Sequence, residues 1–310
     1  MRRVTLGSRG PEVAGLGFGC LSVAGVYGDA DPDESLRVVR RALDAGVSLI
    51  DATDIHGDGE VERLVGKAVA HRREEAVIAT SARQRPGSRP GDLVRCCDTA
   101  LSRLGVDRID LFYVNPAAGR ASVEETMGVA GELLAAGKIR HVGVRGVTAG
   151  QLRRAHEAVP VTALAVEYSL WRREAEREHL PAARELGVGV VACRPLGRGF
   201  LTGRITTSAQ LAPGDVRLRD PRFAPESLAL ELGRLREAQR AAADLDVGVG
   251  RLAIAWLLAQ GDDVVPVPST RDLVHLEMNL AAAGIVLSEG VRARLAETFP
   301  LGEGPLALGD

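Results

Sequence analysis

The feature that most restricts the architecture of this chain is an alternation. From residue 16 onward, short apolar runs are separated by helical patterns at intervals of roughly thirty residues, the spacing of repeated βα units. Such alternation implies a parallel sheet. Strands are expected at Leu16–Cys20, Ser48–Thr53, Ala76–Ser81, Asp110–Asn115, His141–Arg145, Ala163–Tyr168, Gly189–Pro195 and Val264–Pro268. Eight strands with their crossovers are best closed as a (β/α)8 TIM barrel in the α/β class, with an open doubly wound sheet as the alternative. A short N-terminal hairpin precedes the first strand, and a long loop, residues 206–225, follows the seventh. No break in composition marks a linker, so residues 1–310 are expected to form a single domain.

Local signals support the helices. Asp31 and Pro32 supply an N-cap and a first-turn proline, with Glu34 placed for a capping box, and Thr148 and Gln151 have the same spacing. Gly46, Gly105, Gly137 and Gly187 follow apolar helical runs, as expected of residues that close a helix in the left-handed conformation.

A barrel of this kind carries its chemistry at the C-terminal ends of the strands. The residues of interest are therefore Asp51 to His56, Ser81 to Arg85, Asn115, Arg145, Tyr168, Cys193 to Gly199 and Ser269 to Arg271. A net charge of −2 gives no electrostatic reason to expect nucleic acid or an anionic membrane, and charge forces no partner class. Cys20, Cys96, Cys97 and Cys193 form no C-x-x-C pair and no metal-ligand spacing. A reduced, cytoplasmic protein without a metal is expected. No segment has the apolar length of a membrane span. Lys67 and Lys138 are the only lysines among many arginines, which fits the codon bias of a G+C-rich, bacterial-type genome.

The strand ends and their flanking words are ALDAGVSLIDATD, LVGKAV, LSRLGVDRIDLFYV, LLAAGKIRHVGV, EYSLWRRE, PLGRGFLTG, LAIAWLL and VVPVPSTRDLVHLEMNLAAAGIVLS. Together and in this order they resemble the aldo-keto reductase family along nearly the whole chain. The resemblance implies a (β/α)8 barrel that binds NADP(H) and reduces carbonyls by hydride transfer. It also implies a tetrad in which a tyrosine gives the proton, a lysine and an aspartate tune it, and a histidine orients the substrate. Asp51 occupies the aspartate position. The tyrosine position holds His56, the lysine position Ser81 and the histidine position Asn115.

The nicotinamide pocket implied by the resemblance is altered too. Arg145 and Gly146 replace the serine and asparagine that hold the carboxamide, Ala165 replaces a glutamine, and Cys193 and Arg194 stand in place of a ring-stacking tyrosine and its serine. Elements for the cofactor's phosphate end persist in Leu196, Gly197, Gly199 and Leu201, and in Ser269, Thr270, Arg271 and Asn279. Met278 replaces a customary glutamate.

These changes leave Asp51 without the lysine that would neutralise it, and a buried carboxylate needs a proton or a new donor. His56, Arg83 and Arg145 are the candidates. An Asp51–His56 pair would make His56 a general acid or base near neutral pH; the alternative is a loop histidine. Arg145 and Arg194 favour an anionic group in the pocket, with pairing to Asp51, Asp54 or Glu167 as the competing use. Tyr27 lies at a barrel mouth within reach of substrate, although loop packing is its default. Tyr168 reads as architecture, Cys193 as a small barrel-lining residue, and the run Arg172 to Glu178 as a solvated helix start.

Three functions follow. The first is an aldo-keto-reductase-like enzyme with altered acid/base chemistry, such as dehydration, isomerisation or cyclisation of a small anionic or carbonyl-containing metabolite. The second is a divergent NADP(H)-dependent oxidoreductase with His56 as proton donor. The third is a catalytically silent binding or regulatory barrel.

Overall fold

Every expected strand corresponds to a strand of one parallel sheet in the computed structural model, which describes residues 1–24, 30–53, 59–82, 84, 87–119 and 121–302. After a hairpin of β1 (Arg3–Thr5) and β2 (Glu12–Ala14) come β3 (Phe18–Gly19), β4 (Leu49–Asp51), β5 (Val77–Ser81), β6 (Ile109–Val114), β7 (Ile139–Arg145), β8 (Val161–Glu167), β9 (Gly189–Cys193) and β10 (Val264–Pro266). They are ordered β10-β9-β8-β7-β6-β5-β4-β3. The two edges then meet. Gly17 donates its N–H to the Pro266 carbonyl at 2.9 Å and Gly19 to the Pro268 carbonyl at 3.0 Å, closing a barrel. Both edge strands are shorter than expected because this seam is made by separate bonds and a lone bridge from Gly19 to Ser269.

Helices α1 (Pro32–Asp44), α2 (Glu60–Val69), α3 (Pro90–Leu104), α4 (Val123–Ala135), α5 (Ala149–Ala158) and α6 (His179–Leu186) alternate with the strands. Asp31 caps α1 by accepting the Asp33 and Glu34 N–H groups, and Thr148 with Gln151 forms the box that opens α5. The glycines at 46, 105, 137 and 187 all have positive φ. Two helices, α7 (Pro225–Ala243) and α8 (Val249–Leu258), fill the connection between β9 and β10, and α9 (Leu273–Ala281) and α10 (Glu289–Thr298) follow. The loop before α7 is organised into 3₁₀ turns by Arg217 on Asp215 and Arg222 on Asp220, at 2.7 and 2.6 Å. Among the described residues no helix is long and apolar enough to cross a membrane.

The hairpin closes the bottom of the barrel. Val4, Leu6 and Val13 pack with Leu49, Leu111, Val191 and Val265 in one buried cluster. Higher up, the interior is lined by small residues, Ala79, Ala163 and Ala165, around one large one, Tyr113. Gly143 lies opposite Tyr113 in the register of β6 and β7, and a Cβ there would come within 2.4 Å of the Tyr113 ring. A Gly143→Ala substitution therefore forces the ring or strand aside. Its expected cost is about 1–3 kcal/mol in equilibrium denaturation.

The run Arg172 to Glu178 departs from expectation. The Arg173 side chain is only 10% exposed and pairs with Glu176 at 2.7 Å. It also donates to the Ala296 and Phe299 carbonyls at 2.7 and 2.8 Å and lies over the Trp256 ring. It is a tether for the C-terminal helix, and its partners come from more than a hundred residues downstream, beyond the reach of a local charge pattern. Tyr168 is architecture as expected, fully buried, with its hydroxyl donated to Glu176 at 3.0 Å and its ring edge-on to Trp256.

Candidate active site

A cavity of about 770 Å³ opens at the C-terminal ends of the barrel strands. Asp51, at the end of β4, is part of its wall and is 7% exposed. Its Oδ1 accepts the Thr53 N–H at 3.0 Å. Burial pushes the carboxyl above its ordinary 3.8, against hydrogen bonds from Thr53 and the positive charge of Arg145, which pull the other way. Asp51 in turn adds to the effect of burial in raising the neighbouring Cys20 thiol. Arg145 is thus the described cation that acts on Asp51. His56, Arg83 and Tyr27 lie outside the described residues.

Of the other expected substrate groups, Asn115 lines the cavity, although its Oδ1 accepts the Ala117 N–H at 3.1 Å within its own turn. Ser81 ends β5, the cavity wall beside it is made by Ala82 and Gln84, and Gln84 Oε1 accepts the Asn115 N–H at 2.7 Å. Arg194 borders the cavity, and its guanidinium donates to Glu167 at 3.0 Å, the competing use foreseen for it. Glu167 also holds Arg222 at 3.0 Å and Arg198 at 3.7 Å, and Asp220 bridges Arg222 and Arg198. Burial raises the Glu167 carboxyl, but Arg222, Arg194, Arg198 and Arg172 outweigh burial and hold it below its ordinary 4.5. Arg194 and Arg198 both sit at positive φ, 52° and 56°, a conformation costly for a side-chain-bearing residue. The network holds the loop after β9 in that shape.

The expected cofactor residues divide by burial. Leu196, Gly199, Ser269, Thr270 and Asn279 line the cavity. Leu201 is fully buried in the core. Gly197, at φ 56°, leaves room for Trp171, whose ring a Cβ would meet at 2.8 Å. Leu201, Gly197 and Arg271 are not part of the cavity wall. Ser269 Oγ accepts the Ser22 N–H at 2.6 Å across the barrel seam. Beyond these, the wall contains Arg204, Gly248 to Arg251, His275 and Met278, and Arg251 Nε is buried without a hydrogen-bond partner. The word GVGR at the start of α8 carried a signal, since glycines and a cation at a helix N-terminus suit an anion.

Sequence reading also missed Tyr113 and His179. His179 is 6% exposed in the cavity wall, and its Nε2 lies 2.9 Å from the Val147 carbonyl, which can only accept. Cys193 lines the barrel as expected, with its thiol toward the Val191 carbonyl at 3.8 Å. Among the described residues no cluster of His, Cys, Asp and Glu is arranged to hold a metal.

The chain is similar to named proteins over almost its full length. "Probable aldo-keto reductase 1" of Glycine max is 36% identical over 97% of this chain and 89% of its own. The Schizosaccharomyces pombe protein named aldo-keto reductase yakc, with NADP(+) in its name, is 34% identical over 92% of this chain and 88% of its own. The glycerol dehydrogenase of Gluconobacter oxydans shares the fold, with a TM-score of 0.87 at 24% identity over 98% and 99% of the two chains. So does a Klebsiella pneumoniae aldo/keto reductase solved with NADP and acetate, with a TM-score of 0.78 at 23% identity over 100% and 99%. Residues 15–298 match the model of the Aldo/keto reductase family, and with the barrel and its strand-end cavity this places the chain in that family.

Proposed function

We propose that this chain is an NADP(H)-dependent oxidoreductase acting on a small carbonyl compound that carries an acidic group. The observation that carries the reading is the continuity of one cavity, which joins a buried carboxyl at the barrel mouth to a wall of Thr270, Asn279, Arg204 and Arg251. That wall fits a phosphate-bearing ligand. Arg251 has a buried donor without a partner, Thr270 and Asn279 are buried polar groups, and α8 begins beside them. The name of the S. pombe relative, which is more than 30% identical, supports NADP(H) as that ligand.

Bound NADPH supplies a hydride to a carbonyl carbon. The chain's own residues do the rest. His56, five residues downstream of Asp51 in the sequence, gives the proton that the carbonyl oxygen takes up, and a nearby carboxylate such as Asp51 would favour its protonated form. Arg145, in the cavity wall near Asp51, takes the acidic group of the substrate.

A second reading, acid/base chemistry without a redox step, is favoured by Arg145 beside Asp51 at the position where the family resemblance implies carboxamide-holding residues. Titration with NADPH and NADP⁺, followed by fluorescence and calorimetry, separates the two. Saturable binding in the micromolar range is expected. No binding at millimolar cofactor would remove the reductase reading and leave the second. A silent barrel instead requires that substitutions at Asp51, His56 and Arg145 change neither turnover nor binding.

A further inference from the structure

Tyr113 is 1% exposed, and its hydroxyl is buried without a hydrogen-bond partner, yet the residue belongs to the cavity wall. Its ring lies across Gly143, which removes a Cβ that would collide with it, so the phenol is directed inward from β6. The groups whose charge it feels, Asp51, Cys193 and Arg145, stand at the ends of β4, β9 and β7. Strands on different sides of the barrel all act on one hydroxyl, which fits a hydroxyl inside the barrel, next to the cavity that Tyr113 helps to line. Burial first, and Asp51 and Cys193 after it, push the phenol well above its ordinary range, so it keeps its proton and is a donor.

A buried hydroxyl without a partner is destabilising. It makes sense where an acceptor arrives with a ligand. We propose that Tyr113 is a ligand-binding residue, whose hydroxyl donates a hydrogen bond to a carboxylate oxygen of a small molecule seated in the cavity whose wall Tyr113 and Arg145 share. The proposal rests on reading the cavity as a substrate chamber but not on the cofactor. A neutral donor and a guanidinium on one side of a cavity together favour a carboxylate over an alcohol or an amine.

The test compares cyclohexanecarboxylate with cyclohexanemethanol, both transparent where tyrosine absorbs, by calorimetry on the whole chain with and without NADP⁺. In Tyr113→Phe, carboxylate affinity is expected to fall about tenfold or more and alcohol affinity to stay the same. The thermal midpoint should hold or rise, since the substitution removes only the unpaired hydroxyl. In the unsubstituted protein the carboxylate, and not the alcohol, should perturb tyrosine absorbance, a readout that needs no variant. Carboxylate affinity unchanged in Tyr113→Phe, a midpoint that falls while affinity holds, or no carboxylate binding to the unsubstituted protein would each overturn the assignment. NADPH binding with any of these outcomes leaves the oxidoreductase reading standing and removes only the role of Tyr113.

Discussion

Replacing Glu167 by alanine is expected to destabilise the protein by about 3–5 kcal/mol, measured as a lower denaturant midpoint with little change in slope. The Glu167 side chain is 12% exposed, and the arginines it holds, Arg194, Arg198 and Arg222, are 12, 15 and 20% exposed. Removing it leaves these cations near one another with Asp220 as their remaining described acid, and it releases two arginines held at positive φ. Arg222 also stacks over Trp171, so its movement disturbs the packing of Phe200 and Phe223 on that ring. Glu167→Gln keeps the shape and one acceptor oxygen and should cost less.

The pH dependence has a definite sign. The folded-state pKa of Glu167 lies below its ordinary 4.5, so its stabilisation is complete above that pH and fades as pH falls through the folded value. The unsubstituted protein should therefore lose stability in that acid window, whereas Glu167→Gln should show a flatter profile there. Equal acid sensitivity in the two proteins would count against the network as the origin of the effect.

At Asp51 and His56 the largest expected effect is on turnover. Asp51→Asn or His56→Ala should lower the rate with the true substrate by about 10²–10⁴-fold, the usual contribution of a positioned acid or base. Stability should move the other way for Asp51→Asn. The Asp51 carboxyl has a folded-state pKa above 3.8, so its ionisation opposes folding increasingly as pH rises from 3.8 through the folded value. An uncharged amide removes that penalty, and the variant should be the more stable protein at neutral pH. Lower activity with equal or higher stability marks a site group, whereas a joint fall in both would make Asp51 a structural residue.

The fold was legible because its signal is periodic and local. Each βα unit carries its own apolar run, several add a cap or a closing glycine, and the strands fell where those signs put them. The interior of the barrel was not legible, for a physical reason. All of β6 is buried, since one face packs inside the barrel and the other against helices, so no alternation of polar and apolar residues tells which way Tyr113 points. Asp51 and Arg145 line the cavity at strand ends, and strand-end position together with the family resemblance is what singled them out in the sequence. The use of Arg194 was only half visible. Glu167 was a possible partner, but Arg222, which shares it, is 55 residues away in a loop whose path the sequence does not specify. Arg173 shows the same limit, since a charged run looks solvated until the chain returns to cover it.

The hairpin under the barrel has a kinetic consequence. With Val4, Leu6 and Val13 stopping the far end, the barrel is a well rather than a tube, and Asp51 and Tyr113 are part of the wall of the cavity at its open end. Two molecules that share such a well cannot pass each other. The deeper one is loaded first and released last, so steady-state kinetics with two ligands should follow a compulsory order, and the shallower ligand at high concentration should slow the departure of the deeper one.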